Sequence, residues 1–231
     1  NAREWWMAGI GSIRDQATEL DNPAAKTTNA GDDFRAALGE AKATTLSFAE
    51  WLEQQAPLKT GPSGVGKENY TWFLRHVLLV PLSWDEEASL LKRELARAYA
   101  SLQLERQHNR DLPPLKAISS PEEFDRHAGQ SITNLMTFLK KKEILPHPSP
   151  VRRDPLPNNI WVNRSEGLAT AVEEIFMHAG LYDDNPRARE LVWIMLAQRC
   201  ARGLASLYAH ANEITLQQAR EYQVTWTPEG W

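Results

Sequence analysis

Apolar residues along this chain recur every three to four positions, the spacing of a helical face, and not every second one as in a half-buried strand. Residues 33–54 align Phe34, Leu38, Ala41, Thr45, Phe48 and Leu52 on one face, so a helix is expected there. Residues 67–80 align Tyr70, Phe73, Leu74, Val77 and Leu78, and residues 120–143 align Phe124, Ala128, Ile132, Leu135 and Leu139. A further helix is expected over residues 3–13, carrying Trp5 and Trp6. Start signals support these readings. Ser83-Trp84-Asp85-Glu86, Ser120-Pro121-Glu122-Glu123 and Thr215-Leu216-Gln217-Gln218 each place a hydroxyl three residues before a carboxylate or amide, so each group can cap the other's backbone N–H. The first opens a long helix to about residue 107, the third a helix to about residue 224. No alternating strand series and no internal repeat occurs. The expected fold is all-α, a bundle of long antiparallel helices, with at most one short strand, Ile160-Trp161-Val162 being either that strand or a buried anchor.

Residues 164–211 organise the rest. They read as two helices joined by a tight acidic turn. Ser165 is expected to cap the first, with Leu168, Val172, Ile175 and Ala179 on its inner face and Glu166, Thr170, Glu173 and Met177 opposite. Gly180 and Tyr182-Asp183-Asp184 end it, and Asn185-Pro186 start the next. From Leu191 to Leu207 the second helix is apolar nearly all round and is expected to be buried. It nevertheless carries Arg199, Arg202, Ser206 and His210 as one polar stripe. Buried arginines without partners are costly, so something anionic must meet them. Glu166, Glu173 and Glu174 are the nearest supply. Two readings follow: a structural ion-pair network, or a site wall in which arginines hold an anionic group and a carboxylate holds a metal.

Composition narrows the classes. The net charge of -4 leaves no basic excess for a nucleic-acid partner. No apolar run is long enough to span a membrane, since Val77-Leu78-Leu79-Val80 stops at Pro81. A soluble chain is expected, with a cytoplasmic location slightly favoured. The single cysteine, Cys200, excludes an internal disulfide framework and reads as a buried inert thiol. Nine tryptophans imply large aromatic helix contacts. Neither end reads as a natural terminus, so a fragment is expected. Five prolines within PHPSPVRRDPLPNN break the helical pattern and make residues 146–164 a strap or linker, locally cationic through His147, Arg152 and Arg153. It separates an N-terminal helical part, 1–145, from a C-terminal part, 165–231, that carries the candidate site, all within one structural domain.

Several motifs carry less chemistry than they suggest. Gly61 to Lys67 fits the start of a phosphate-binding loop, but Glu68 stands where Ser or Thr would serve magnesium, and no buried strand precedes it. Glu105 and His108 form half of a carboxylate-bridged di-iron pattern with no second half, so a solvated pair is expected. Lys140-Lys141-Lys142 reads as a solvated helix end. Glu174 and His178, one turn apart, could chelate one ion, with His210 and Glu213 as possible additions.

Some stretches resemble a known family. Ser165-Glu166-Gly167-Leu168-Ala169 is similar to the E-G-W-A stretch of the domain of unknown function 885 family. Gly64-Val-Gly-Lys-Glu-Asn-Tyr70 is similar to its G-x-G-K-E-x-Y motif, and Arg202 followed by His210 to its arginine and histidine before a helix start. Glu94-Leu-Ala-Arg97 and the segments at Pro146 to Pro150 and Met177 to Gly180 add to the resemblance, which runs in the family's order over most of the chain. The resemblance implies a helical zinc peptidase, a zinc-dependent hydrolase of peptides or small carboxylate-bearing substrates. Glu166 would be a metal ligand, with Glu174 and His178 as weaker candidates. Arg199, Arg202 and His210 would bind the substrate's anionic group. The chain departs from the family in having no H-E-x-x-H among its six histidines and in placing Ser206 where the family has an acidic residue. The alternative is a non-catalytic helical binding or scaffold domain whose Arg/Glu stripe is structural. The catalytic residues, the oligomeric state and the compartment do not follow from these residues.

Overall fold

The computed structural model describes residues 2–27, 29–144 and 158–228, leaving out the side chains of residue 24 and of residues 158–166. The described residues are helical throughout, with one isolated bridge between Ala2 and Gly61 and no sheet. In chain order the helices are α1 (Arg3–Glu19), α2 (Asp21–Lys26), α3 (Asp32–Gln55), α4 (Lys67–His76), α5 (Trp84–His108), α6 (Pro121–Lys141), α7 (Asn158–His178), α8 (Arg187–His210) and α9 (Leu216–Trp226). No described helix is long and apolar enough to cross a membrane.

The chain divides into two compact units, residues 1–71 with 205–221, and residues 72–204 with 222–231. In the first unit α1 and α3 run antiparallel. The Trp6 indole donates to the Leu52 carbonyl at 2.8 Å, Arg14 donates twice to Glu53, and Lys42 reaches Asp21 at 2.6 Å. The contact is close because small residues, Ala17 and Ala49, are buried at it.

In the second unit α5, α7 and α8 enclose the core. Leu102, Met177, Val192, Trp193 and Ile194 form one buried cluster, with Tyr182, Leu191 and Leu196 packed against it. The α5 start follows its sequence: the Ser83 side chain accepts from the Glu86 N–H, and the Glu86 carboxylate accepts from the Ser83 N–H at 2.7 Å. Ser120 caps α6 by accepting from the Glu123 N–H, while the Glu123 carboxylate accepts from the Ser119 N–H and not from that of Ser120. The turn from α7 to α8 requires Gly180, whose φ of +96° is left-handed and whose missing Cβ would lie 2.6 Å from Asp183 Oδ2.

Five expectations are corrected. α7 begins at Asn158, so Ser165 lies inside the helix and caps nothing, and Ile160-Trp161-Val162 is helical and not a strand. The inner face of α7 is the one expected to point outward: Met177 is fully buried, while Leu168 and Ile175 are 59% and 56% exposed. α4 stops at His76 and not at Val80: Leu79 turns left-handed (φ 57°), and Pro81 disfavours helix at Val80, the residue before it. Phe34, Phe48, Phe73, Phe124 and Ile132, all expected inward, are exposed. Residues 146–157 of the expected strap, with His147, Arg152 and Arg153, lie outside the described residues.

Candidate functional site

Of the carboxylates that sequence offered as ligands, Glu174 is bound to an arginine in the second unit. Glu174 on α7 accepts from Arg97 of α5 through both oxygens, Nη1 at 2.6 Å and Nη2 at 2.8 Å. Glu94, one turn before Arg97, accepts from its Nε at 2.8 Å. The Arg97 guanidinium also stands 5.2 Å from the Trp193 ring centroid. This forked donation holds the Glu174 carboxyl below its ordinary range, and the same contact raises Arg97. His178 Nε2 lies 3.5 Å from Glu174 Oε1, on the oxygen that Arg97 Nη1 already occupies.

Arg199 on α8 repeats the arrangement with the adjacent carboxylate. Its Nη1 and Nη2 donate to the two oxygens of Glu173 at 2.6 Å and 2.9 Å. The expected meeting of an α8 arginine with an α7 carboxylate is thus observed, in a half-buried pair. Arg202 differs: its side chain is exposed, so it is no buried charge that requires an anion. Glu166 is helical by its backbone, and its side chain lies outside the described residues.

Two further pairs were not legible. Glu105 does not pair with His108; it accepts from Arg189 Nε at 2.9 Å and raises that arginine's pKa. Glu190 is buried, and its Oε1 accepts from Asn109 Nδ2 at 2.8 Å and from Arg187 Nη1 at 3.0 Å. The Arg187–Glu190 spacing is visible in sequence as i, i+3. The Asn109 contact joins residues 81 apart, and nothing local announces it.

His210 belongs to the first unit, at the end of α8, half-buried. Its ring stacks against Tyr70 at 6.2 Å between centroids, and its carbonyl accepts from the Gly66 N–H at 2.9 Å. The Gly64 N–H donates to Asn212 Oδ1 at 2.7 Å, Asn212 Nδ2 returns a bond to the Gly64 carbonyl, and Lys67 pairs with Glu213 at 2.6 Å. The other end of this loop serves α1. Ser63 Oγ accepts from the Glu4 N–H at 2.6 Å, and the Gly61 carbonyl accepts from the Arg3 N–H. The glycine-rich loop therefore spends its groups on two helix ends, the free N–H groups that open α1 and the free carbonyls that close α8. That use explains its glycines without phosphate. A Cβ on Gly64 would lie 2.2 Å from the His210 oxygen.

Cys200 is buried on α8, and burial pushes its thiol up to about 11. A thiol so held is neutral and unreactive at ordinary pH.

Zinc needs three or four nitrogen, oxygen or sulfur ligands around one point. Among the described residues no group of three or more His, Cys, Asp or Glu side chains is placed to hold a metal ion. Glu174 and His178 do not fit that role as they stand: no third ligand stands beside them among the described residues, and Arg97 donates to both Glu174 oxygens. No family model, curated protein or solved structure matches the chain.

Proposed function

We propose that this chain is a non-catalytic all-α binding or scaffold domain whose arginine–carboxylate pairs are structural. One observation carries the reading: Arg97 and Arg199 engage both oxygens of Glu174 and Glu173 with forked hydrogen bonds, so each carboxylate's charge is already met within the fold. Arg97 and Arg199 are neutralised by the same bonds, so neither is poised for a substrate carboxylate.

Zinc-dependent hydrolysis of a peptide or small carboxylate-bearing substrate is the second reading, and one observation favours it. The Gly64–Tyr70 stretch and His210, which carry two separate parts of the family resemblance, meet in the first unit. On that reading Glu166 is the ligand to test, with Arg202 and His210 toward the substrate and further ligands from outside the described residues.

Thermal melts with zinc and with a chelator separate the two. A ligand at about a hundred times its Kd stabilises the native state by about 2.7 kcal/mol, or roughly 5–10 °C in a chain of this size. The scaffold reading expects no zinc-dependent rise. Stoichiometric zinc after purification, a melt raised by zinc, and loss of both in Glu166→Ala would replace it with the hydrolase reading.

A further inference from the structure

Helix α6 in the second unit is amphipathic by sequence, yet none of its residues is buried. On one side Phe138 packs edge-on against Phe176 at 5.9 Å and Leu135 is half covered, as is Leu139, which lies about 20° from Ile132 and nearer the helix's C-terminal end. On the other edge of the apolar arc Ile132 and Met136 are 64% and 48% exposed. At about 100° per residue, Ile132 and Met136 sit more than a quarter-turn from Phe138, so one helix face cannot cover all three.

The residues flanking this open edge identify what covers it. Glu122 and Lys140 are both exposed. Their separation corresponds to about five full helical turns, so they stand on one line along α6, acidic at its start and basic at its end. Ile132 lies near the midpoint between them, one strip over. A second α6 laid antiparallel across Ile132 sets Ile132 on its own counterpart and Met136 on the other copy's Ala128. It also brings Glu122 of each copy to Lys140 of the other. A parallel pair would set like charges together. The line is thus complementary to itself in one orientation, the condition for a two-fold interface. Gly129 lies on the same side with open space where a Cβ would stand, so the two backbones can approach closely.

We propose that a second copy of this chain covers α6, through an antiparallel helix–helix contact centred on Ile132. The contact is independent of either functional reading above. A specific interface buries at least about 1,000 Å², and a helix of 21 residues is only about 31 Å long. The contact is therefore small, and the dimer is expected to be weak.

Sedimentation equilibrium of the full chain across a concentration series tests this. The wild type is expected to move from monomer to dimer. Glu122→Lys and Lys140→Glu alone each set like charges against each other twice and are expected to raise the dissociation constant on the order of tenfold or more. The double variant restores opposite signs and is expected to return to near the wild-type value. Ile132→Glu is expected to be monomeric. All these positions are exposed, and circular dichroism checks that each variant stays helical. A monomeric wild type, whatever else α6 then binds, overturns the proposal. So does a dimer that survives Ile132→Glu, or a charge-swapped double variant no stronger than its single parents.

Discussion

Glu190 is a carboxylate at 7% exposure, and its partners decide whether that burial is tolerable. Asn109 and Arg187 donate to it, and Arg187 is itself held by the Asn109 carbonyl at 2.8 Å and the Leu112 carbonyl at 2.6 Å. Removing one partner from such a group strands the others without their bonds, and it is this stranding that costs stability. Glu190→Ala is expected to destabilise the fold by about 3 kcal/mol and to lower the melting temperature by roughly 6–12 °C. Glu190→Gln keeps the Asn109 contact and loses less. Calorimetry of the two variants reads the difference, and equal losses would mean that the charge, and not the Asn109 contact, carries the whole effect. Residues of this kind mark what sequence reasoning reaches. Arg199 finding Glu173 follows from two neighbouring helices and a demand for charge balance. Arg97 finding Glu174 and Arg189 finding Glu105 join residues 77 and 84 positions apart, so they depend on which helix lies beside which.

At the scale of the element, ends were more legible than faces. The hydroxyl-and-carboxylate patterns at Ser83 and Ser120 cap α5 and α6, and Thr215 exchanges bonds with Gln218 at the start of α9. Each signal is complete within four residues. The inward face of α7 was read wrongly because apolar spacing alone cannot show that a neighbour offers an arginine. Arg199 draws Glu173 inward, Met177 follows one turn on, and Leu168 and Ile175 are left outside. The glycine-rich loop, which its own sequence rules out as a phosphate site, has another use. Its residues suit the cradling of a charged group, and the groups cradled are the ends of α1 and α8. Gly64→Ala tests this directly. The added methyl has no room beside the His210 carbonyl, so the loop must lift and lose the Gly66–His210 and Gly64–Asn212 bonds. The variant is expected to lose about 2 kcal/mol, with faster hydrogen exchange at the Gly64 and Gly66 amides. Unchanged exchange at both amides would show that the loop does not close α8.

For the whole molecule, the directions in which its groups are shifted set a stability profile in pH. Glu174 is lowered by Arg97, Glu86 by the Ser83 N–H and Glu123 by the Ser119 N–H. A carboxyl lowered in the folded chain binds a proton more readily once unfolded. Its contribution is present above the ordinary carboxylate range, about 4, and is lost as pH falls through the folded values. At the other limb the shifts run upward. Burial raises the Tyr99 and Tyr182 phenols and moves the Cys200 thiol from 9.0 to about 11. A group raised in this way is fully stabilising below its unfolded pKa, and the contribution falls away as pH climbs toward the folded one. The denaturant midpoint is therefore expected to be flat near neutrality, to fall in acid, and to fall again between about 9 and about 11. The alkaline fall isolates one residue. A single group ionising only in the unfolded chain contributes a slope of about 1.4 kcal/mol per pH unit. Cys200→Ala removes that share and leaves the acid limb untouched, because no carboxylate named here depends on the thiol. Urea titrations of both proteins across the alkaline range measure the slopes, and identical slopes would place the alkaline loss on the phenols.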